Sequence, residues 1–366
     1  MKAVILTCYE SNEERVEFVY ETLKQKDFDI DVITTDFSHI KKSKRNNIPN
    51  NYISINTKPY SKNLSLKRIT SHRKFSKDAF SIVEDIKPDL IWLMIPANSL
   101  AKQANEYKKN NPSVKIIIDV IDMWPESLPV NLSKQLLPFK IWKNLRSNNL
   151  NCADYIVSEC DMYQEILSKE YNGKLSTIYW SKDYSIDKDK QNIEDNHLSL
   201  CYLGSINNII DTDLIAKIIS NIDDDVKLHV IGEGENTEYF LNQLQNVCDV
   251  TYYGPIRDED KKAEILNKCH AGLNIYKKGL YIGLTVKCID YFENGLPIIN
   301  NIDGDTRNMV DNYNLGFNVD DKTILDSKQI KTLRNNNLHI YDFYKNNFSK
   351  ESFIEKCNKV IDEVLK

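Results

Sequence analysis

The feature of this 366-residue chain that most constrains its fold is a regular alternation of short β-branched runs with longer amphipathic stretches. In the first half, the runs that we predict to be strands are 3–7, 30–34, 90–94, 115–119 and 155–158. Between them, helical periodicity predicts helices that include 13–25 and 76–85. This alternation is typical of a parallel β-sheet covered by helices.

A second series of the same kind follows a polar stretch at 181–196, SKDYSIDKDKQNIEDN, which we interpret as a linker. Its predicted strands are 198–203, 227–231, 250–253, 272–275 and 298–300. We therefore predict an α/β protein of two Rossmann-like domains that face each other across a cleft. The N-terminal domain is predicted to span 1–183 and the C-terminal domain 197–344.

Composition agrees with this organisation. A hydrophobic content of 41% is enough to fill two cores. The eight cysteines include no CxxC pair, which favours a reducing compartment over a disulfide framework or a zinc site. The N-terminal run AVILTCY is too short for a signal peptide, and no window approaches the roughly 20 apolar residues of a membrane-spanning helix. We therefore expect a cytoplasmic protein.

The strongest candidate for chemistry is the segment GLTVKCIDYFENGLPII at 283–299. Lys287 and Asp290 are three residues apart, so they lie on one face of a helix, close to its start. A cation at a helix N-terminus suits a diphosphate, and an acid one turn further can accept hydrogen bonds from a ribose or sugar hydroxyl. The alternative is an ordinary ion pair between the two side chains on a solvated helix.

A glycine follows the predicted strand 198–203 and opens a second candidate site. At Gly204 and Ser205, a phosphate could approach the backbone amides without meeting a bulky side chain. The carboxyl ends of parallel strands are where ligands bind in sheets of this type. The alternative is that the glycine only ends the strand.

Two segments of the chain resemble motifs of a known family. Residues 283–299 resemble the donor-site segment of the family 4 glycosyltransferases, in which a helix with the pattern Lys-x-x-Glu/Asp-Tyr precedes a Gly-x-Pro turn. DMWPES at 122–127 is similar to the Asp-Leu-Trp-Pro-Glu-Ser signature of the subgroup that builds bacterial surface polysaccharides. The resemblance implies the GT-B fold and an enzyme that transfers a sugar from a nucleotide diphosphate sugar. The expected donor is a UDP-sugar. It also implies that a final helix, within 345–366, packs back on the first domain.

For the donor site, the resemblance implies that Lys287 contacts the diphosphate and that Asp290 corresponds to the family's second acid. The family's first acid would stand at Ile282, so the backbone amides around Gly283 and Leu284 are expected to replace it.

The resemblance also implies a seat for the nucleotide base at Pro255 and Ile256, where the alternative is a simple turn. Tyr281 is expected to close on the donor from the neighbouring loop. Relatives carry an arginine and a lysine on the diphosphate where this chain has Ser205 and Ile210.

Acceptor chemistry is expected from the first domain. Asp119 and Asp122 bracket the end of the strand KIIID, and Glu126 follows Trp124-Pro125, so three carboxylates could orient or deprotonate an acceptor hydroxyl. The alternative makes Asp122 or Glu126 a helix cap. The resemblance implies a transfer that retains anomeric configuration and needs no metal or cofactor besides the substrate.

An uneven charge distribution bears on the acceptor. Residues 37–77 contain eleven Lys or Arg and no Asp or Glu, although the net charge of the chain is −5. Such a segment suits the anionic face of a membrane and hence peripheral contact at its inner surface, as for an enzyme that extends a lipid-linked glycan. The alternatives are a solvated loop and, with no supporting motif, a nucleic-acid arm, which we do not favour.

The resulting hypothesis is a glycosyltransferase of hexosyltransferase type, acting on a glycan acceptor during surface polysaccharide or glycoconjugate assembly. Within enzymes, the alternatives are a transferase that acts on a glycosylated protein and, less favoured, a sugar-nucleotide epimerase. From another class, the chain could be a non-catalytic subunit that binds a partner or a glycan.

Overall fold

The computed structural model describes residues 1–128, 135–183, 193 and 196–366, which form two compact units. Unit 1 comprises Met1–Trp180 and Lys350–Lys366, and unit 2 comprises Ser181–Ser349. Most of the predicted linker, at 184–192 and 194–195, lies outside the described residues.

Unit 1 is built on a seven-stranded sheet in which every strand is parallel to its neighbours. The order is β5-β2-β1-β6-β7-β8-β9, and β3 and β4 form a separate hairpin. The strands are β1 Lys2–Leu6, β2 Asp29–Thr35, β3 Phe37–Ser38, β4 Ser43–Lys44, β5 Tyr52–Ile55, β6 Leu90–Ile95, β7 Lys115–Val120, β8 Tyr155–Ser158 and β9 Lys174–Thr177. The helices are α1 Glu13–Lys24, α2 Leu66–Ile86, α3 Ser99–Asn110, α4 Leu137–Ser147 and α5 Asp161–Glu170, with a C-terminal helix at Lys350–Leu365.

The central strands of unit 1 are apolar because helices cover both faces of the sheet. Every residue of β6, LIWLMI, is buried. The C-terminal helix packs on α1, where the rings of Phe353 and Phe18 lie 5.3 Å apart in an edge-to-face contact. The end of the chain is therefore part of the core of the first unit.

Helix α2 is longer than the predicted 76–85 and begins ten residues earlier, at Leu66. Ser65 caps it by accepting a hydrogen bond from the backbone N–H of Arg68. Arg68 and His72 are buried on the inner face of its first turns. Sequence periodicity missed this part because polar residues occupy the buried positions.

Unit 2 repeats the architecture with a six-stranded parallel sheet in the order β12-β11-β10-β13-β14-β15. The strands are β10 Leu198–Leu203, β11 Val226–Ile231, β12 Asp249–Gly254, β13 Ala271–Asn274, β14 Ile298–Asn300 and β15 Gly316–Asn318. The helices are α6 Thr212–Ser220, α7 Thr237–Gln245, α8 Glu259–Leu266, α9 Val286–Glu293, α10 Asp305–Tyr313, α11 Ser327–Asn335 and α12 Leu338–Phe348. The predicted α/β architecture of two Rossmann-like units is confirmed.

Both sheets have a point at which the strand order reverses. In unit 2 the chain runs from β10 outward to β11 and β12, then returns to the other side of β10 with β13. In unit 1 the reversal falls between β1 and β6. Open α/β sheets bind ligands outside the carboxyl ends of the strands at such a point.

Candidate functional site

The end of β10 meets the start of helix α9 at the reversal point of unit 2. Leu203 donates its backbone N–H to the hydroxyl of Tyr291, at 2.9 Å, which fixes the helix against the strand. The ring of Tyr291 lies over Gly272, where an added Cβ would come within 2.6 Å of it. At the N-terminus of the helix, the Thr285 hydroxyl donates to Asn274 Oδ1 at 2.9 Å. These contacts set the position of the first turn of α9.

The loops after β10 and β11 each begin with a glycine, Gly204 and Gly232. Gly204 has φ +116° and Gly232 has φ +137°, a region that favours glycine. A Cβ on Gly232 would lie 2.0 Å from the carbonyl oxygen of Gly204, so the two loops touch through their backbones. A Cβ on Gly204 would face the Lys287 side chain, 3.5 Å from Cε. At Gly204, backbone atoms therefore lie next to Lys287 with no side chain between them.

A cleft of about 430 Å³ opens at this place. It is lined by Lys182, Leu203, Gly204, Ser205, Asn207, Ile209, Ile210, Ile256, Lys262, Tyr276, Thr285, Val286, Lys287 and Asp290. Two clefts of unit 2 are larger, at about 620 and 540 Å³. Neither has a buried side-chain polar atom without a partner in its described lining, whereas the cleft beside Gly204 does.

That atom is Nζ of Lys287. The side chain is buried, and Nζ has no hydrogen-bond partner in the described structure. It lies 4.2 Å from the centre of the Tyr202 ring and 4.9 Å from that of Tyr276. Burial lowers the pKa of Lys287 from 10.5 to about 8. A buried ammonium without a counter-ion is expected to attract an anion.

Asp290 does not pair with Lys287, so the alternative of an ordinary ion pair between them is wrong. Oδ1 of Asp290 instead accepts hydrogen bonds from Lys182 and, at 3.3 Å, from Lys262. The carboxylate of Asp290 outweighs the effect of burial on Lys182 and raises its pKa. Sequence reasoning missed both lysines because one lies in the polar stretch read as linker and the other in an acidic helix start.

The cleft brings together only part of the predicted donor site. Gly204, Ser205, Ile256, Lys287 and Asp290 line it. Four further predicted residues, Pro255, Tyr281, Gly283 and Leu284, are not among the lining residues. In this loop the carbonyl of Gly283 accepts hydrogen bonds from both the backbone N–H and the hydroxyl of Thr306, which hold it against α10.

In unit 1, each of the three predicted carboxylates has a partner of its own. Asp119 is fully buried and accepts two hydrogen bonds from Arg15, at 2.8 and 2.9 Å, and one from Trp92 at 3.1 Å. Glu126 accepts from Arg146 through both oxygens, at 2.8 and 3.1 Å. The oxygens of Asp119 and Glu126 are thus engaged in ion pairs with arginines, and the roles of both residues toward an acceptor stay predictions.

Asp122 differs from the other two. It forms no ion pair with a described residue and accepts a hydrogen bond from the Ser127 hydroxyl. Burial raises the pKa of its carboxyl group. Its role toward an acceptor stays a prediction.

The basic segment 37–77 is not one solvated face. Arg45 and Arg68 are buried, and Arg45 pairs with Glu13. Exposed apolar side chains lie in the same segment, with Ile40 70% and Leu66 81% exposed.

Two further features concern metals and membranes. In the described ranges, no group of three or more His, Cys, Asp or Glu is placed to hold a metal ion. Among the helices described above, none combines the length and apolar character needed to span a bilayer.

Comparisons with known proteins place the fold. No family model matches the chain, and no curated protein matches it in sequence. Among solved structures, it is similar to a sucrose-phosphate synthase from Thermosynechococcus elongatus, with a TM-score of 0.72, 13% identity and coverage of 100% of this chain and 99% of that one.

Two more solved structures agree. HepE from Anabaena, solved in complex with UDP, gives a TM-score of 0.66 at 12% identity and covers 100% of this chain and 99% of its own. The lipopolysaccharide outer core galactosyltransferase WaaB gives 0.64 at 13% identity, with 99% of each chain covered. The chain therefore has the GT-B fold of these glycosyltransferases.

Proposed function

We propose that this protein is a glycosyltransferase that transfers a sugar from a UDP-sugar to a glycan acceptor. The observation that carries the proposal is the ammonium of Lys287, which is buried beside the bare backbone of Gly204 and has no counter-ion within the described residues. A diphosphate would supply the missing negative charge there. The GT-B fold of structures such as HepE, which was solved with UDP and with UDP-glucose, supports the same reading.

Each part of the donor has a candidate partner in unit 2. The diphosphate lies against Lys287 and the amides of Gly204 and Ser205, near the N-terminus of α9, whose dipole favours an anion. The ribose binds Asp290, because both lysines use Oδ1 and leave Oδ2 for a hydroxyl group. The base lies against Ile256, which lines the cleft.

The chemistry that follows is charge stabilisation on the leaving group. As the bond from the anomeric carbon to the diphosphate breaks, negative charge grows on the phosphate oxygens, and Lys287 with the loop amides stabilises it. In the retaining, metal-independent route that the family resemblance implies, a diphosphate oxygen takes the proton of the acceptor hydroxyl. In this route, Lys287 stabilises the negative charge on the leaving group, which is the part that a metal ion plays in metal-dependent transferases.

We propose that unit 1 binds the acceptor and that the protein is a family 4 enzyme of hexosyltransferase type. It would act in surface polysaccharide or glycoconjugate assembly, at the inner face of the membrane. Exposed Ile40, Leu64 and Leu66 lie among exposed lysines such as Lys41 and Lys67, a combination that suits an anionic bilayer. Sedimentation with anionic vesicles should fall when Lys41 and Lys67 are changed to Gln. Unchanged sedimentation would rule out contact through this segment.

The proposed function is tested by binding and turnover. Thermal unfolding is measured with UDP, GDP, ADP and a panel of their sugars, for the wild type, for Lys287→Met and for Lys261→Met as a surface control. Ligand at a hundredfold excess over its Kd adds about 2.7 kcal/mol of stability. We expect stabilisation by UDP compounds that Lys287→Met removes and Lys261→Met keeps.

Turnover separates the enzyme from its alternatives. We expect release of UDP from one UDP-sugar in the presence of a glycan acceptor. Binding without any release would favour the non-catalytic subunit. Stabilisation by no nucleotide at all would overturn the donor site itself.

A further inference from the structure

Unit 1 contains a buried arginine that differs from the other buried arginines of the described chain. Arg15, Arg45 and Arg146 each pair with a carboxylate. Arg334 donates three hydrogen bonds to backbone carbonyl groups, as in the cap of a helix end. Arg68 is 1% exposed, and no described carboxylate lies within 4 Å of its guanidinium group.

Few of the donors of Arg68 are engaged. Nη1 donates to the carbonyl of Asn63 at 2.8 Å, and Nη2 donates to the hydroxyl of Tyr9 at 2.9 Å. The same hydroxyl lies 2.8 Å from Nε2 of His72, so Tyr9 orients Arg68 and is itself engaged. Nε is enclosed and has no partner. The guanidinium group lies 3.9 Å from the centre of the Trp124 ring, which holds the cation in place but supplies no negative charge. Three of its five N–H groups therefore have no partner among the described residues, and one of these three is the enclosed Nε–H.

The groups around Arg68 are further donors. Lys42 approaches Nδ1 of His39 at 3.4 Å, and the hydroxyl of Tyr60 is 2.8 Å from the same atom. Because a lysine ammonium can only donate, Nδ1 of His39 is the acceptor, and Nε2 carries the ring proton. Burial, with the charges of Arg68 and Lys42, lowers the pKa of His39 to about 4, so the ring is neutral at pH 7.

The two neighbouring acids, Glu10 and Asp122, have other hydrogen-bond partners. The two oxygens of Glu10 accept from the Ser38 hydroxyl and from the backbone N–H groups of His39 and Ile40. Asp122 accepts from Ser127, and burial raises the pKa of its carboxyl group. Neither carboxylate forms an ion pair with Arg68.

The position of the cluster in the sheet points to a ligand. Tyr9 follows β1 and Trp124 follows β7, so both lie in loops at the carboxyl ends of strands. Strand β1 and its neighbour β6 form the point where the strand order of unit 1 reverses. Trp124 and His39 are partly exposed, so the cluster can be reached from solvent.

We propose that Arg68, with His39 and Trp124, binds an oxyanion of the acceptor, either a phosphate or a carboxylate. The assignment of this anion to the acceptor rests on the proposed function, but its binding to unit 1 does not. An anion at Arg68 would pair the buried guanidinium group and orient the acceptor beside Trp124, whose partly exposed ring can stack against a sugar.

The direct test uses the wild-type protein. Side-chain Nε–H signals of ¹⁵N-labelled arginine are recorded during titration with methyl phosphate, with glucuronate and with neutral methyl glucoside, and Arg68→Lys assigns the signal. We expect a saturable shift of the Arg68 signal with methyl phosphate, glucuronate or both, and none with methyl glucoside. The stronger of the two anions identifies the source. An Arg68 signal that neither anion moves would overturn the proposal.

Variants separate this site from the donor site. We expect Arg68→Gln to weaken the affinity for the effective anion at least tenfold, and Arg73→Gln, an exposed change on the same helix, to leave it unchanged. Lys287→Met should keep this binding, and Arg68→Gln should keep stabilisation by UDP. If Arg68→Gln binds the anion as tightly as the wild type, the proposal is refuted. If the wild type does not bind UDP, only the proposed function is refuted. If Arg68→Gln does not fold, the wild-type titration decides.

Discussion

Replacing Lys287 by Met should stabilise the ligand-free protein and abolish nucleotide binding. Met has nearly the same length and fills the space between the rings of Tyr202 and Tyr276 without a charge. Because burial lowers the pKa of Lys287 from 10.5 to about 8, keeping this ammonium inside the folded protein is unfavourable at pH 7. At about 1.4 kcal/mol for each tenfold change in the ionisation constant, the cost is roughly 3 kcal/mol.

Contact of the ammonium with the rings of Tyr202 and Tyr276 offsets part of this penalty, by about 1 kcal/mol for a cation near an aromatic ring. We therefore expect Lys287→Met to raise the free energy of unfolding by about 1–2 kcal/mol at pH 7. For a domain of 150–250 residues, this corresponds to a Tm increase of about 2–8 °C.

The pH dependence gives a second check. Below pH 8 both the folded and the unfolded state hold the proton of Lys287, so the penalty is complete. Between about pH 8 and 10.5 the folded state has lost the proton while the unfolded state keeps it, so the wild type gains stability as the pH rises. The advantage of Lys287→Met should therefore shrink from pH 8 by about 1.4 kcal/mol for each pH unit and disappear between about pH 9 and 9.5.

The assay is thermal or urea unfolding of wild type and variant from pH 7 to 10, with and without UDP. Lys261→Met, at a side chain that is 72% exposed, serves as the control and should change stability by less than about 0.5 kcal/mol. A destabilised Lys287→Met protein that UDP still stabilises would refute the argument, because the lysine would then be part of the structure and not of the ligand site.

Three further predictions concern the same unit. Asp290→Asn should lower the free energy of unfolding by about 3 kcal/mol, because it leaves Lys182 partly buried without its carboxylate, and it should also weaken UDP binding in calorimetry. Gly232→Ala should cost about 1–3 kcal/mol and reduce UDP affinity, since its Cβ would lie 2.0 Å from the carbonyl oxygen of Gly204; unchanged affinity would contradict the close packing of these loops. Burial raises the pKa of Glu293 to about 7, so the folded state holds a proton that the unfolded state loses above about pH 4.5. The contribution of this group to stability therefore decreases as the pH rises from about 4.5 to 7. Glu293→Gln should therefore add about 3 kcal/mol at pH 8 and little at pH 4, as unfolding curves at the two pH values would show.

Much of the fold could be predicted from the sequence because parallel strands covered on both faces are continuous apolar runs. Three strands, β8, β10 and β14, have the predicted bounds, and the alternation with helices implied the parallel order. Helix α2 was predicted too short because buried Arg68 and His72 interrupt its apolar periodicity.

For the candidate site, the sequence supplied Lys287 and Asp290 and the helical spacing that puts them one turn apart. It also supplied Gly204, since only a residue without a side chain suits that backbone.

Only the tertiary structure decided which charges are paired. Asp290 forms an ion pair with Lys182, which is 108 residues away in the sequence, and Asp119 forms one with Arg15, which is 104 residues away. Lys287 and Arg68 are left inside the protein without a carboxylate in the described structure. Local spacing fixes which side chains share a helix face, but the burial and the counter-ion of a charge depend on neighbours that folding brings from distant parts of the chain. That is why the sequence determined the two α/β units and the spacing of Lys287 and Asp290 on α9, while only the fold separated paired charges from buried cations without a counter-ion among the described residues.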